Sequence, residues 1–210
     1  MRDVPPELAD HPDRLRWNAK YAEAARRADG AAAEAFPVHP LAERVLAAPP
    51  PDGPMLDLAC GLSGAALLAA AAGRAVTAVD VSEAALDLLD AEARRRGVRD
   101  LITLVQADLG AWRPPAGRYA FVLCAGFWDR SVFGPAAAAV APGGMLGWEA
   151  FTDDARRVRP GLPAEWCLAP GEPAALLPDD FAVLEQRDLP DARRGTKRRM
   201  LAQRTAGRHR

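Results

Sequence analysis

From Met55 to Phe151 the chain alternates without interruption between short apolar runs and stretches of helical periodicity, and this pattern constrains the fold more than any other feature. "MLDLAC" (55–60), "AVTAVD" (75–80), "LITLVQAD" (101–108), "YAFVLCAGF" (119–127) and "GGMLGWEAF" (143–151) read as strands, and 63–72, 82–96 and 130–140 as helices. Ser82 as N-cap and Gly97 just past the arginines bound the second helix. Strands separated by helices align parallel, with helices covering both faces of the sheet. Beyond a segment punctuated by Pro160, Pro163, Pro170, Pro173 and Pro178, residues 181–189 and 196–205 read as two more strands. With no helix between them, they are expected to pair antiparallel at the sheet edge. Ahead of Met55, residues 5–48 read as helical, in segments 13–27 and 39–48, ended by Pro49 to Pro51 and Asp52-Gly53.

Composition removes several function classes. The net charge is -1 over 210 residues, which gives no global attraction to nucleic acid or to an anionic membrane. The N-terminal stretch lacks the apolar core of a signal peptide, and the longest apolar run, 65–72, is too short to span a bilayer. The cytoplasm is the expected compartment. Cys60, Cys124 and Cys167 form no CxxC pair and have no histidine cluster near them, so neither a disulfide framework nor a metal site is expected.

Between the first apolar run and the first helix lies "DLACGLSG", Asp57 to Gly64. A glycine turn there lets the backbone approach a ligand and aims free N–H groups of a helix start at negative charge. Dinucleotide sites of this type carry three glycines. Here Gly61 and Gly64 follow an acid inside the strand, Asp57, which suits a cationic ligand better than a pyrophosphate. Asp80 closes the second strand at the distance expected of a ribose ligand, and Asp108 closes the third. Three consecutive strands thus end near an aspartate at the carboxyl edge of the sheet, where doubly wound folds hold ligands.

This constellation resembles the class I S-adenosylmethionine-dependent methyltransferases. Their first motif is matched by Asp57 to Gly64, their ribose acid by Asp80, their adenine-side motif by "QADL" (106–109), and their P-G-G turn by "APGGMLGWEAF" (141–151). The resemblance implies an α/β fold, a Rossmann-like three-layer αβα sandwich. Its sheet would be seven-stranded and mostly parallel, with a C-terminal antiparallel hairpin. Residues 53–210 would be the methyltransferase domain, and 1–52 an N-terminal helical arm serving as its lid. S-adenosylmethionine is the implied cofactor. Asp57, Ala59 and Gly61 would surround its methionine end, and Asp80 would hold the ribose. Val81 would lie against adenine, Asp108 and Leu109 would read the adenine edge, and Ala125 would lie near the sulfonium.

A methyl on a sulfonium is already activated, so the enzyme chiefly aligns the acceptor and excludes water, with a base only where the acceptor must lose a proton. Acceptor-side residues are therefore expected after strands four and five and on the arm. Trp17 and Tyr21 share one helix face, and Lys20 adds a cation for the cofactor carboxylate; the alternative is packing within an amphipathic helix. "WNAKY" (17–21) resembles the arm of small bacterial methyltransferases of the tellurite-resistance and thiopurine types. "WDR" (128–130) resembles a segment of thiopurine S-methyltransferases that faces the acceptor, which makes Asp129 and Arg130 candidate catalytic residues. On its own that pair reads equally as a helix cap. His39 is a candidate general base because its ordinary pKa lies near neutrality. Glu149 and Phe151 are placed to line the same pocket. The glycine turn carries Leu62, Ser63, Ala65 and Ala66 where the tellurite-resistance type carries arginine, which argues against an oxyanion acceptor.

The expected activity is methyl transfer to a small-molecule nucleophile, a thiol or other chalcogen first and an oxygen or nitrogen of a metabolite next. The alternatives are a non-catalytic S-adenosylmethionine-binding regulator and, from the basic residues Arg193, Arg194, Lys197, Arg198 and Arg199, an RNA methyltransferase.

Overall fold

A computed structural model describes residues 3–27, 36–47 and 52–206; the Pro49 to Pro51 run expected to end the arm lies outside them. Seven strands form one sheet: β1 (Met55–Leu58), β2 (Val76–Asp80), β3 (Ile102–Gln106), β4 (Tyr119–Ala125), β5 (Val140–Phe151), β6 (Phe181–Leu189) and β7 (Lys197–Arg204). Their order is β3-β2-β1-β4-β5-β7-β6. The first five pair parallel, and β7 runs antiparallel between β5 and β6. The chain winds outward from β1 in both directions, so the crevice for a ligand opens above β1 and β4.

The helices are α1 (Pro12–Arg27), α2 (Pro40–Ala47), α3 (Gly64–Ala71), α4 (Glu83–Arg95) and α5 (Arg130–Ala139). Side-chain caps set their starts: Ser63 Oγ accepts from Ala66 N at 2.9 Å and Ser82 Oγ from Ala85 N at 3.2 Å. The arm is not helical throughout. Residues 37–39 lie outside any helix, as Pro37 and Pro40 demand of the residues before them. β5 begins at Val140, three residues earlier than the pattern predicts. Its pairing with β4 shifts register between Tyr119 and Phe121, and that irregularity absorbs Pro142, Gly143 and Gly144.

Alternation along the strands divides the core into two layers. Leu56 and Leu58 pack with Val122, Trp148 and Phe133 on the α5 side. Met55, Ala78 and Phe121 pack with Leu41, Leu67 and Leu89 on the side of α2, α3 and α4. Each such leucine stabilises by roughly 1.5–3 kcal/mol. Asp57 has the same parity as Met55, so its carboxyl points into an apolar layer.

Three of the five basic residues of the hairpin are held in ion pairs, while Arg193 and Arg194 are exposed and donate to Asp191 through their backbone N–H groups. Lys197 and Arg199 both bind Glu149, at 3.1 and 2.7 Å, and Arg198 binds Asp188, its cross-strand partner, at 2.6 Å.

Candidate functional site

The turn after β1 enters the left-handed region at Ala59 (φ 48°) and again at Gly61 (φ 51°). Cys60 N donates to Val79 O at 3.0 Å, fastening the turn to β2. Asp80 is held from two sides: Gly61 N donates to Oδ2 at 2.8 Å and Ser82 N to Oδ1 at 2.9 Å. Each oxygen keeps a further lone pair for a ligand hydroxyl. Burial raises the Asp80 pKa, against the pull of these backbone donors. Asp57 is buried more completely in apolar surroundings, and among the described residues its one side-chain hydrogen bond comes from Ser63 Oγ. Burial pushes its pKa to about 7, with the Ser63 bond opposing and Asp80 adding.

Helix α1 lies across this turn and is fastened to the start of α4. The Arg14 guanidinium grips the Glu83 carboxylate, with Nε donating to Oε2 at 2.8 Å. Asn18 bridges the same place, donating to Glu83 at 2.7 Å and accepting from Ser82 Oγ at 2.6 Å. Gln106, at the end of β3, donates to Glu83 at 3.1 Å. The spacing 13, 16, 17, 20 sets one stripe of α1 over the sheet edge. Trp17 and Tyr21 stack at 5.9 Å, and Lys20 Nζ lies 4.2 Å from the Trp17 ring centre. The Tyr21 hydroxyl covers Gly61 so closely that a Cβ there would overlap it, and burial lifts its pKa well above the ordinary phenol value. A Cβ at Gly64 would overlap the backbone of Phe36 and Pro37. Both glycines of the motif therefore make room for the arm.

Three cavities meet here. The central one, about 220 Å³, lies between α1 and the carboxyl ends of β2, β3 and β4. It gathers Trp17, Lys20 and Tyr21 from the arm with Ala59, Asp80 and Val81, and with Asp108, Leu109 and Ala125. Asp57 and Gly61 are not on its wall: Gly61 is under Tyr21, and Asp57 lines an adjoining cavity of about 150 Å³ that shares Ala59 and Ala125 with the first. On the other side a cavity of about 290 Å³ shares Asp13, Trp17, Lys20, Gly126 and Phe127 with it.

Sequence reading missed His11 and Asp13 in the central cavity. His11 Nε2 lies 3.9 Å from Asp108 Oδ2, and its buried Nδ1 has no hydrogen-bond partner among the described residues. Extending the Trp17 stripe back by four residues would have found Asp13. Arg159, Leu162 and Trp166, which wall the largest of the three cavities, come from the irregular chain after β5, where no periodicity marks a facing side.

Of the three candidate catalytic residues, His39 borders the cavity beside Asp57, and the other two border none of the three cavities. Asp129 is the N-cap of α5, accepting from Ser131 N at 2.8 Å and Ser131 Oγ at 2.7 Å. Arg130 is 67% exposed and pairs with Glu172 at 2.8 Å. Neither lines the central or the largest cavity, and the residues ahead of them, Phe127 and Trp128, take that place. His39 Nδ1 accepts from Leu41 N at 3.2 Å and Nε2 meets Glu149 at 3.2 Å, which leaves the ring no free lone pair for a substrate proton. Burial works against the Glu149 carboxylate, but His39, Lys197 and Arg199 outweigh it and hold its pKa at about 2. His39 and Glu149 fasten the arm to β5.

Residues 55–144 match the family model described as a methyltransferase domain. No curated protein matches the chain by sequence. Among solved structures, the chain is similar to magnesium protoporphyrin IX methyltransferase from Synechocystis PCC 6803 with bound SAH. The identity is 16% and the TM-score 0.68, over 91% of this chain and 98% of that one. It is similar to geranyl diphosphate methyltransferase in complex with GPP and sinefungin at 17% identity and TM-score 0.64, over 79% and 78% of the two chains. TehB from Haemophilus influenzae aligns at 21% identity and TM-score 0.62, over 80% of this chain and 62% of its own.

Proposed function

We propose that this chain, whose residues 55–144 match the methyltransferase-domain model, is a class I methyltransferase in which S-adenosylmethionine binds across the two smaller cavities and a small organic nucleophile in the largest of the three receives the methyl group. The observation that carries this reading is the convergence of Asp57, Asp80 and Asp108 with the aromatic arm around joined cavities at the carboxyl edge of the sheet. The residues present fit the cofactor: a buried carboxyl near neutrality invites an ammonium, and the partnerless His11 Nδ1 beside Asp108 invites a hydrogen-bonding base edge. When bound, the cofactor supplies a methyl activated by its sulfonium.

The chain's own residues then position and enclose. Asp80 takes the ribose hydroxyls, with its oxygens fixed by Gly61 and Ser82 N–H groups. Val81 and Leu109 flank the adenine, and Asp108 reads its edge. Asp57 and Ala59 form the methionine end, Gly61 braces it from beneath Tyr21, and Trp17 and Tyr21 close the lid formed by the arm. Lys20 stands on the wall shared with the acceptor cavity and turns its charge to the acceptor rather than to the cofactor carboxylate. Ala125, Gly126 and Phe127 form the passage toward the acceptor. Catalysis rests on alignment and exclusion of water, since none of His39, Asp129 and Arg130 stands where a base would.

The acceptor reading shifts accordingly. The chalcogen expectation rested on the two family-like segments, WNAKY and WDR; with Arg130 on Glu172 and five aromatic side chains in the acceptor cavity, it narrows to an organic thiol, with a hydroxyl next, and an inorganic oxyanion is further disfavoured. The RNA alternative is weakened because Glu149 and Asp188 pair with Lys197, Arg198 and Arg199, three of the five residues of its basic patch.

Calorimetry with S-adenosylmethionine, S-adenosylhomocysteine and NAD tests the reading. Binding of the first two and not of NAD is expected, with Asp80→Ala weakening S-adenosylhomocysteine at least tenfold, about 1.4 kcal/mol. Preference for NAD, or an unchanged Asp80→Ala affinity, would sink it. Tight cofactor binding without methyl transfer to any of a panel of thiols, phenols and amines would mark a regulatory module instead.

A further inference from the structure

The largest of the three joined cavities has an unusual wall. Trp17, Phe127, Trp128, Phe151 and Trp166 supply aromatic surface, while Arg16, Lys20 and Arg159 supply three cations and Asp13 the only carboxylate. Asp13 is used by Arg16, at 2.9 Å. Among the described residues, Lys20 and Arg159 have no carboxylate partner; each sits on a ring face, Lys20 Nζ 4.2 Å from the centre of Trp17 and the Arg159 guanidinium 4.6 Å from that of Phe151. The Arg16 guanidinium lies 4.3 Å from the Trp166 centre. Like charges crowd together here: the Lys20 pKa is lowered first by burial and then by Arg159 and Arg16.

We propose that this cavity selects a planar aromatic carboxylate as the methyl acceptor, with its ring among Trp17, Phe127 and Trp166 and its carboxylate on Lys20 and Arg159. The proposal rests on the assignment of the central cavity to the cofactor, because Gly126 and Phe127, shared by the two, are where the acceptor's reacting atom must lie. The charge and the rings each exclude a class. A neutral aromatic leaves two cations crowded without a counter-charge, and an inorganic oxyanion leaves the rings uncovered. A cavity of about 290 Å³ limits the acceptor to one or two rings. The carboxylate is a handle and does not react; a thiol or hydroxyl on the same ring would take the methyl, its proton going to solvent as S-adenosylhomocysteine leaves.

Titration of tryptophan fluorescence in the full chain, with S-adenosylhomocysteine present, tests this. The probes are benzoate, 2-naphthoate and naphthalene-2-carboxamide. At least one acid is expected to quench saturably, and 2-naphthoate to bind at least tenfold more tightly than its amide. Arg159→Gln should erase most of that acid preference, Arg159→Lys should keep it, and both should leave S-adenosylhomocysteine affinity, measured by calorimetry, unchanged. Equal binding of acid and amide, no saturable quenching by either acid, or an Arg159→Gln variant with full acid preference would overturn the proposal. Failure of S-adenosylhomocysteine itself to bind would instead strike the cofactor assignment, so the two failures are distinguishable.

Discussion

A carboxyl group with a pKa near 7, as Asp57 has, opposes folding wherever it is ionised. The unfolded chain loses that proton near pH 4, so stability falls as pH rises from about 4 to 7 and levels off above. Asp57→Asn, which keeps an acceptor for Ser63, should therefore gain on the order of 4 kcal/mol at pH 8 and almost nothing at pH 4. Urea unfolding of both forms reads this directly, and a variant no more stable at pH 8 would disprove it. The same variant should bind S-adenosylmethionine less tightly, a stability gain set against function. Glu149 behaves oppositely. Its folded pKa lies near 2, so it adds stability above its ordinary value of 4.5 and loses it as pH falls toward 2. Glu149→Gln should lower Tm at pH 7, with the difference shrinking below pH 4.5; a constant difference would contradict the assignment. Asp57, Asp80 and Asp108 were legible because an acid at a strand end is a local pattern. His39 was not, since its partners include Glu149, 110 residues away along the chain.

Elements add what single residues cannot. Helix α1 is held to α4 by Arg14 and Asn18, and through that latch it forms the roof of the central cavity. Asn18→Ala should speed hydrogen exchange in α1 and weaken S-adenosylhomocysteine several-fold while moving Tm little, because no core side chain is removed. Unchanged cofactor affinity would separate the arm from binding. At α5, Asp129→Ala should cost about 1 kcal/mol as a lost cap, Asp129→Ser should restore most of it, and neither should alter cofactor affinity. Helix starts at Ser63, Ser82 and Asp129 were readable because caps are local chemistry. The early start of β5 was not, because a register shift is decided by the neighbouring strand.

At the scale of the molecule, the alternation of strand and helix carried the parallel sheet and the closing antiparallel pair, since both follow from which connections are long enough to cross over. It carried nothing about residues 152–180, the irregular chain between β5 and β6, which supplies Arg159, Leu162 and Trp166 to the largest of the three cavities. Trp17 and Lys20 border both the central cavity, proposed for the cofactor, and the one proposed for the acceptor. Cofactor product and acceptor should therefore alter each other's affinity by one common factor, measurable by titrating either in the presence of the other. The basic hairpin, by contrast, should not retain tRNA in filter binding at physiological salt. Gly64 has a different reach. Its missing side chain serves backbone that lies some thirty residues upstream, so the body of the fold carries an imprint of its own N-terminal segment. Relatives that have lost that segment should be free to place alanine or serine at this position, while the positive φ at Gly61 still restricts theirs. One letter in the middle of such a sequence would then disclose whether a covering segment ever lay above it.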